Sequence, residues 1–565
     1  MNQMKVKVSI NKAVFSDGNE VEFDNNGITV FVGPNNAGKS ASLKEMHSLL
    51  KNASQETKVV KKIVMSKVGT NAELLGFLDE ISKKQESGNA KANYAGFGFN
   101  VYPDNASSWW NNSLNNGLSE LIGVFSNLLT TEVRLTAANP AQNISITTQP
   151  LTHPIHFLQT NDELEKQFSI YFRQAFGTDL IVHRNAGNEV PLYIGNKPAI
   201  NSGEDRVSKS YLERLELLPK LQEQGDGMRS FVGVLLNAFI SYYSILFIDE
   251  PEAFLHPPQA KLLGKMLSKD LPSEKQLFLS THSMEFLMGI LDGNVDNIRI
   301  IRIQRDGDIN KISSLNKSDI ITLWNDPLLR HSNILEGLFH SKVVICESDS
   351  DCRFYSAILD SIVDDDSTAV PDVMFIQCGG KHRIHSVVRA LRKLNVPLSV
   401  VCDFDVLNNE NPLKNIIEEL GGGWSGIESD WKLIKGQIEQ KKPELNTADV
   451  KKEIGKALDE ISDKNFPRKS AQNIMQILNK SSAWAYAKQV GRSFIPSGDA
   501  TRAAERLFDN LKSINCFVLE VGELECFVRS VGNHGPKWVN EVLKKDLRND
   551  PQLELARNFV KQIIK

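Results

Sequence analysis

The most constraining feature is one stretch, Ile28-Thr29-Val30-Phe31-Val32-Gly33-Pro34-Asn35-Asn36-Ala37-Gly38-Lys39-Ser40. Its β-branched and aromatic run reads as a strand, its glycine-bounded middle as a loop, and residues 41–50 as a helix. The spacing is G-x-x-x-x-G-K-[ST], the pattern of a phosphate-cradling loop. Gly33 and Gly38 let the backbone turn tightly, so the N–H groups of the loop, with Asn35, Asn36 and Ala37 between them, point at an anion. The helix that follows presents its positive end to the same anion. Lys39 is placed to reach the terminal phosphates and the Ser40 hydroxyl to ligate Mg²⁺, so ATP with magnesium is the expected ligand.

Two later strands supply the partners such a loop needs. The run Tyr243–Ile248 ends in Asp249-Glu250-Pro251-Glu252, which delivers two carboxylates to the C-terminal end of a strand, where α/β sheets bind ligands. Asp249 is expected to hold the metal through water, and Glu250 to polarise the attacking water. Residues 276–279 read as a third strand, ending in Ser280-Thr281-His282-Ser283, where His282 is suited to sense a γ-phosphate. The turn Gly225-Asp226-Gly227-Met228-Arg229-Ser230 opens a helix, and Gly227 there is a second phosphate grip.

A chain of 565 residues is too long for one core, so two or three domains are expected. The formal net charge of −4 gives no global attraction to nucleic acid, so any such contact must use a local basic surface or a metal. No apolar run reaches membrane-spanning length, and the first ten residues carry no signal-peptide core, so a cytoplasmic protein is expected. All six cysteines fall at or after Cys346 and form no C-x-x-C pair, which argues against a zinc knuckle and marks a change of character near residue 340. Between the motifs of the first half, helices are expected over 72–84, 117–129 and 155–176, an irregular loop over 94–116, and strands over 133–135, 144–148, 179–183 and 190–195.

The second half repeats one theme. The strand 342–346 ends in Glu347-Ser348-Asp349-Ser350-Asp351, and the strand 398–402 ends in Asp403-Phe404-Asp405. A last apolar strand, 516–519, ends in Glu520-Val521-Gly522-Glu523-Leu524-Glu525. Strand and helix in alternation predict a small parallel sheet. Carboxylates converging from neighbouring strand ends suit Mg²⁺ or Mn²⁺ with open water positions. Between the last two strands the pattern is mostly helical, at 413–420, 431–440, 448–461 and 471–478. Lys381, Arg383, Arg389, Arg392 and Lys393 could form a basic wall.

These motifs carry a resemblance. Gly225–Ser230 and Asp249-Glu250-Pro251-Glu252, with Leu255-His256-Pro257 after it, resemble the ABC-type ATPase head of the RecF/SMC and OLD (overcoming lysogenization defect) families. Glu347-Ser348-Asp349-Ser350-Asp351 resembles the E-G-x-x-D motif of Toprim domains, with serine for glycine, and Asp403-Phe404-Asp405 resembles their D-x-D. Glu523 and Glu525 resemble the late acidic motif that supplies a second metal in OLD nucleases, and Lys537 stands where their late basic residue is sought. The order, head then Toprim, covers nearly the whole chain.

The resemblance implies an α/β protein: an ABC-type P-loop ATPase head over 1–335, then a Rossmann-like Toprim domain over 336–565 with a helical insertion at about 408–512. It implies an ATPase and metal-dependent endonuclease cutting DNA, with catalytic residues Glu250, His282, Glu347, Asp403, Asp405 and Lys537. It places metal on Ser40 and Asp249 at the head, and on Glu347, Asp351, Asp403, Asp405, Glu523 and Glu525 at a two-metal Toprim site. Heads of this type sandwich ATP between subunits, which implies a homodimer or higher homo-oligomer. Relatives serve in bacterial antiphage defence, some beside a retron reverse transcriptase with its small DNA or RNA, or beside another defence protein. Three alternatives stand: a nucleotide-gated sensor or scaffold whose Toprim half does not cut, an effector acting on tRNA, and a RecF-like repair ATPase.

Overall fold

In a computed structural model of the chain, the strand before the phosphate loop, Gly27–Val32, lies inside a six-stranded sheet. The structure describes residues 6–565 except 88–89, 113–115, 294–296, 316–319, 322–332, 364–369, 394, 442–446, 460, 462–465 and 480–482. The chain divides into two units, Met1–Pro327 and Leu328–Lys565.

In the first unit the spatial order is Ile309–Leu315, Ile298–Asp306, Gly27–Val32, Gln276–Ser280, Ile245–Asp249 and Ser126–Leu129. All neighbours run parallel except the hairpin formed by the first two. A strand buried on both faces must be apolar throughout, which is why these runs do not alternate. Register decides the site. Ser280 lies opposite both Asp249 and Phe31, so three strand ends and the loops that leave them meet on one edge. A second, antiparallel sheet sets Lys7–Phe15 between Glu20–Glu22 and Val60–Val68.

Several local expectations are corrected. The helix expected over 72–84 is Asn71–Ile81, opened by a Thr70–Glu73 capping box, and Ser82–Ser87 is instead a strand paired with Ala90–Gly96. The expected loop at 94–116 contains the end of that strand, the strand Phe99–Val101 and the helix Pro103–Asn111. The helix expected over 117–129 shortens to the 3-10 helix Ser119–Leu121 and the four-residue α-helix Ile122–Phe125, and Ser126–Leu129 joins the central sheet as its edge. There the unsatisfied edge of Ile245–Asp249 overrides local propensity. Residues 133–135 lie in a helix, Thr131–Thr136, because the Thr130 side chain caps it. Residues 144–148 form turns with no strand. The helix expected at 155–176 is two, Pro154–Thr160 and Asp162–Phe176, with Asn161 capping the second.

The second unit holds a four-stranded parallel sheet in the order Val373–Gln377, Lys342–Cys346, Leu398–Cys402, Cys516–Val518. Between its last two strands run the helices Glu410–Glu419, Glu428–Gln440, Thr447–Asp459, Arg468–Asn479, Ala483–Val490 and Asp499–Ser513. The last two were not expected. Cys346, Cys378, Cys402 and Cys516 are buried free thiols and pack as small hydrophobes. Among the described residues no helix is long and apolar enough to cross a membrane.

Candidate functional site

The first site lies at the edge where the three strands of the first unit end. Gly33 has φ 141°, and a Cβ there would lie 2.1 Å from the carbonyl oxygen of Ile303, so only glycine fits. Asn35 and Asn36 are exposed on the loop and Ala37 is buried. Gly38, at φ 105°, leads into the helix Lys39–Lys51, whose first turn is Lys39-Ser40. The Lys39 ammonium is buried and donates to the carbonyls of Gly33 at 2.8 Å and Pro34 at 2.7 Å.

Across the edge, the Ser280 hydroxyl donates to Asp249 Oδ1, and the backbone N–H of Glu250 donates to the Ser280 carbonyl at 3.0 Å. His282 Nε2 stands 3.4 Å from Glu250 Oε1. Burial, then the Lys39 charge, hold the His282 pKa below its usual value, so the imidazole lies within electrostatic reach of the loop lysine. The turn Gly225–Ser230 opens the helix Asp226–Leu235, and Gly227 is needed there because a Cβ would meet the Phe254 carbonyl at 2.7 Å.

Two residues missed from the sequence hold this site together. Arg134 is fully buried; its Nη1 donates to the Asp249 carbonyl and its Nε to Ser230 Oγ at 3.1 Å. It thus ties the strand end to the Gly227 helix. Glu252 Oε1 accepts from Thr281 Oγ1 at 2.7 Å and from the His282 backbone at 3.1 Å. Burial raises the Glu252 carboxyl to about 7. No motif marks Arg134, and Glu252 is visible only as the fourth residue of the acidic turn.

The second site lies at the strand ends of the second unit. Glu347, Asp403 and Asp405 each offer an oxygen, and these lie within 4.8 Å of one another. The backbone N–H of Asp403 donates to Glu347 Oε1 at 3.1 Å. Glu523, Glu525 and His534 form a like group. Glu347, Asp351, Asp403, Glu523 and Glu525 line one cavity of about 410 Å³. Burial, then the Asp403 charge, push Glu347 up to about 7 and Asp351 up to about 6. Burial also raises Asp403 and Glu523, the latter helped by Glu525. Carboxylates crowded in this way favour a cation among them.

The donors fit a hard divalent ion. They are almost all carboxylate oxygens, and Asp405 Oδ1 is buried without a hydrogen-bond partner among the described residues. Asp351 has a second duty: its Oδ2 accepts from the Ser348 backbone at 2.8 Å and hydroxyl at 3.0 Å. Ser348 has φ −135° and caps the helix Asp349–Ile362, so serine sits here without strain.

Lys488, on Ala483–Val490, is the cation that reaches three of the carboxylates. Its Nζ lies 2.8 Å from Asp403 Oδ2, 3.8 Å from Asp405 Oδ1 and 3.9 Å from Glu523 Oε2. Burial opposes its charge, yet Asp403, Asp405 and Glu523 outweigh this and hold its pKa above the usual lysine range. Lys381 donates to Asp405 Oδ2 at 2.6 Å. Lys537 is exposed on Pro536–Val542 and is not among the residues lining the cavity. The expected basic wall is split: Arg389 and Arg392 bond Glu419 instead.

Comparison with known proteins follows the same division. Residues 28–288 match the family model "AAA domain, putative AbiEii toxin, Type IV TA system". Residues 338–405 match "Overcoming lysogenization defect protein-like, TOPRIM domain". Uncharacterized protein MJECL11 of Methanocaldococcus jannaschii is 36% identical over 95 residues, 16% of this chain and 82% of that protein. Among solved structures, an Smc head bound to the C-winged helix domain of ScpA is 13% identical, with 56% of this chain and 99% of that chain covered at a TM-score of 0.33. The SMC head domain from Thermotoga maritima is 10% identical, with 55% and 99% covered at a TM-score of 0.27. The fold and sites therefore define an ATPase domain followed by a Toprim domain. In this domain order the chain is similar to the ATPase–Toprim proteins of the OLD family.

Proposed function

We propose that this protein is an ATP-regulated, divalent-metal-dependent endonuclease that cleaves phosphodiester bonds in DNA. The observation that carries the reading is the meeting of Glu347, Asp403 and Asp405 oxygens within 4.8 Å, with Asp405 Oδ1 buried and without a hydrogen bond among the described residues, the Lys488 ammonium standing 3.8 Å away. These three residues would hold one Mg²⁺ or Mn²⁺, and Glu523 with Glu525 a second, with Asp351 at the cavity wall between helix and strand ends. Two bound ions supply an activated water and neutralise charge on the leaving oxygen. Water adds to phosphorus as the P–O bond to the leaving oxygen breaks, and the products are a phosphate end and a hydroxyl end. Lys488 stands where it would stabilise the extra charge of the pentavalent phosphorus, the role expected of Lys537.

At the head, Lys39 and Ser40 would grip the phosphates and metal of ATP, Asp249 would hold the metal through water, Glu250 would polarise the water, and His282 would report the γ-phosphate. ATP binding between two heads of a homodimer would govern access to the nuclease, and hydrolysis would reset it. A role in antiphage defence in the cytoplasm, with a partner such as a retron reverse transcriptase, completes the reading. Serine at position 348, in place of the glycine of the E-G-x-x-D motif, makes a relaxed helix cap and gives the non-cutting alternative no strain to rest on.

The test is supercoiled plasmid incubated with purified protein, Mn²⁺ or Mg²⁺, with and without ATP. Nicking that disappears in the Asp403→Ala, Asp405→Ala protein is expected. Plasmid left supercoiled by the parent under all these conditions, or still nicked by the double variant, ends the reading.

A further inference from the structure

A second cavity, of about 480 Å³, lies in the same unit and is lined by residues no motif claims. Two chain segments run from the acidic cavity into it. Gly379 and Gly380 line the first, and His382 and His385 the second. Asp403 lines the first, and Asn408 and residues 409–412 the second. Lys381, bonded to Asp405, stands in the first of these segments, between its glycines and histidines.

The chemistry of the two cavities is opposite. The first carries five carboxylates, whereas the second carries one, Glu410, against two imidazoles, Lys435 and a set of asparagine amides. Lys435 is fixed by a 2.8 Å bond to the Asn408 carbonyl. His385 Nδ1 is a buried atom without a hydrogen-bond partner among the described residues. The Asn411 and Asn415 side chains likewise bond no described residue, although each amide offers a donor and an acceptor. Paired donor and acceptor groups suit base edges, and imidazole faces stack on unpaired bases. The volume falls in the range of about 300–1,000 Å³ typical of pockets for one small-molecule-sized group, which admits one nucleotide and not a duplex.

We infer that this cavity binds an unpaired nucleotide of the DNA strand being cut, next to the phosphate that a metal ion on Glu347, Asp403 and Asp405 would hold. The inference rests on the nuclease reading for its substrate, but its binding test does not depend on cleavage.

The experiment uses the full chain in EDTA and a fluorescein-labelled oligo(dT) of about a dozen nucleotides, within the span of single-strand sites, followed by anisotropy. Asn411→Asp, Asn415→Asp alters two exposed positions and sets negative charge in the cavity; His382→Ala, His385→Ala is the second variant. Each is expected to bind the oligomer about tenfold more weakly or worse, the size of one lost base-edge pair. Mn²⁺ binding by electron paramagnetic resonance and the melting temperature should match the parent for the aspartate pair. Where the parent cuts, the positions of its cuts should shift. Oligomer affinity and cut positions equal to the parent in both variants overturn the inference, as does a parent that binds no oligomer or a variant that loses Mn²⁺ as well. A parent that never cuts but loses oligomer binding in the variants leaves the cavity assigned and removes the nuclease reading.

Discussion

Lys488 Nζ lies 2.8 Å from Asp403 Oδ2, although Asp403 precedes the helical insertion and Lys488 sits on its fifth helix, Ala483–Val490. The insertion therefore contributes to the acidic site. The ammonium holds in place carboxylates that would otherwise repel one another, and it lines the cavity they share.

Replacing that cation tests the point. In EDTA, Lys488→Met should lower stability by about 1–2 kcal/mol, because the remaining carboxylates lose their partner while solvent screens part of the loss. Added Mn²⁺ should raise the melting temperature more in the variant than in the parent. Equal gains in a thermal-shift assay would show that Lys488 is independent of the metal positions.

The carboxylates also predict a pH dependence. Glu347 titrates at about 7 and Asp351 at about 6 in the fold, both above their ordinary values. A raised carboxyl contributes stability that is complete below its unfolded pKa and lost as pH rises through the folded one. Metal-free protein should therefore lose melting temperature between about pH 4 and pH 7. Glu347→Gln should flatten the upper part of that decline, measured by calorimetry in EDTA. A parent curve that rises across this window contradicts the crowding.

Loss of the Toprim carboxylates should spare the head. Asp403→Asn, Asp405→Asn should reduce nicking by more than about 100-fold, since even outer-sphere partners of metal ligands cost 10–100-fold. ATP hydrolysis should persist, because Lys39, Asp249 and Glu250 belong to the other unit.

The head variants separate binding from hydrolysis. Glu250→Gln should slow hydrolysis by about 10²–10⁴-fold, as for loss of a general base, and keep ATP binding. Lys39→Ala should lose binding. Nicking retained in Glu250→Gln and lost in Lys39→Ala, scored on plasmid with ATP, would show that bound nucleotide suffices to open the nuclease.

Arg134→Ala should lower the melting temperature and abolish ATP hydrolysis, with a stability loss of about 3 kcal/mol from the buried acceptors left unpaired and the cavity left behind. Arg134→Lys should not restore activity, because separate nitrogens of one guanidinium serve Asp249 and Ser230. Rescue by lysine would reduce Arg134 to a simple charge.

The chemistry-bearing strand ends were legible because each couples an apolar run to an acidic or glycine-rich turn. Gly33, Asp249, Glu347 and Asp403 all announce themselves in this way. The lobe between residues 82 and 148 was not legible. Ser126–Leu129 has no strand pattern of its own and becomes one only by filling an open sheet edge. Thr131–Thr136 is helical through a cap that outweighs the β-branched run around Val133. Lys488 and Lys537 look alike as isolated lysines, and only the packing of Ala483–Val490 against the turn Phe404–Asn408 tells them apart.

The sequence by itself determined the phosphate loop, the acidic turns and their order along the chain, because backbone sterics and charge act within a few residues. The tertiary structure alone decided which distant groups meet. Parallel register brings Ser280 beside Asp249 and Glu347 beside Asp403, and helix packing carries Lys488 and Arg134 into their sites. Those meetings depend on buried surfaces that match across long stretches of chain, and no local run of residues records them.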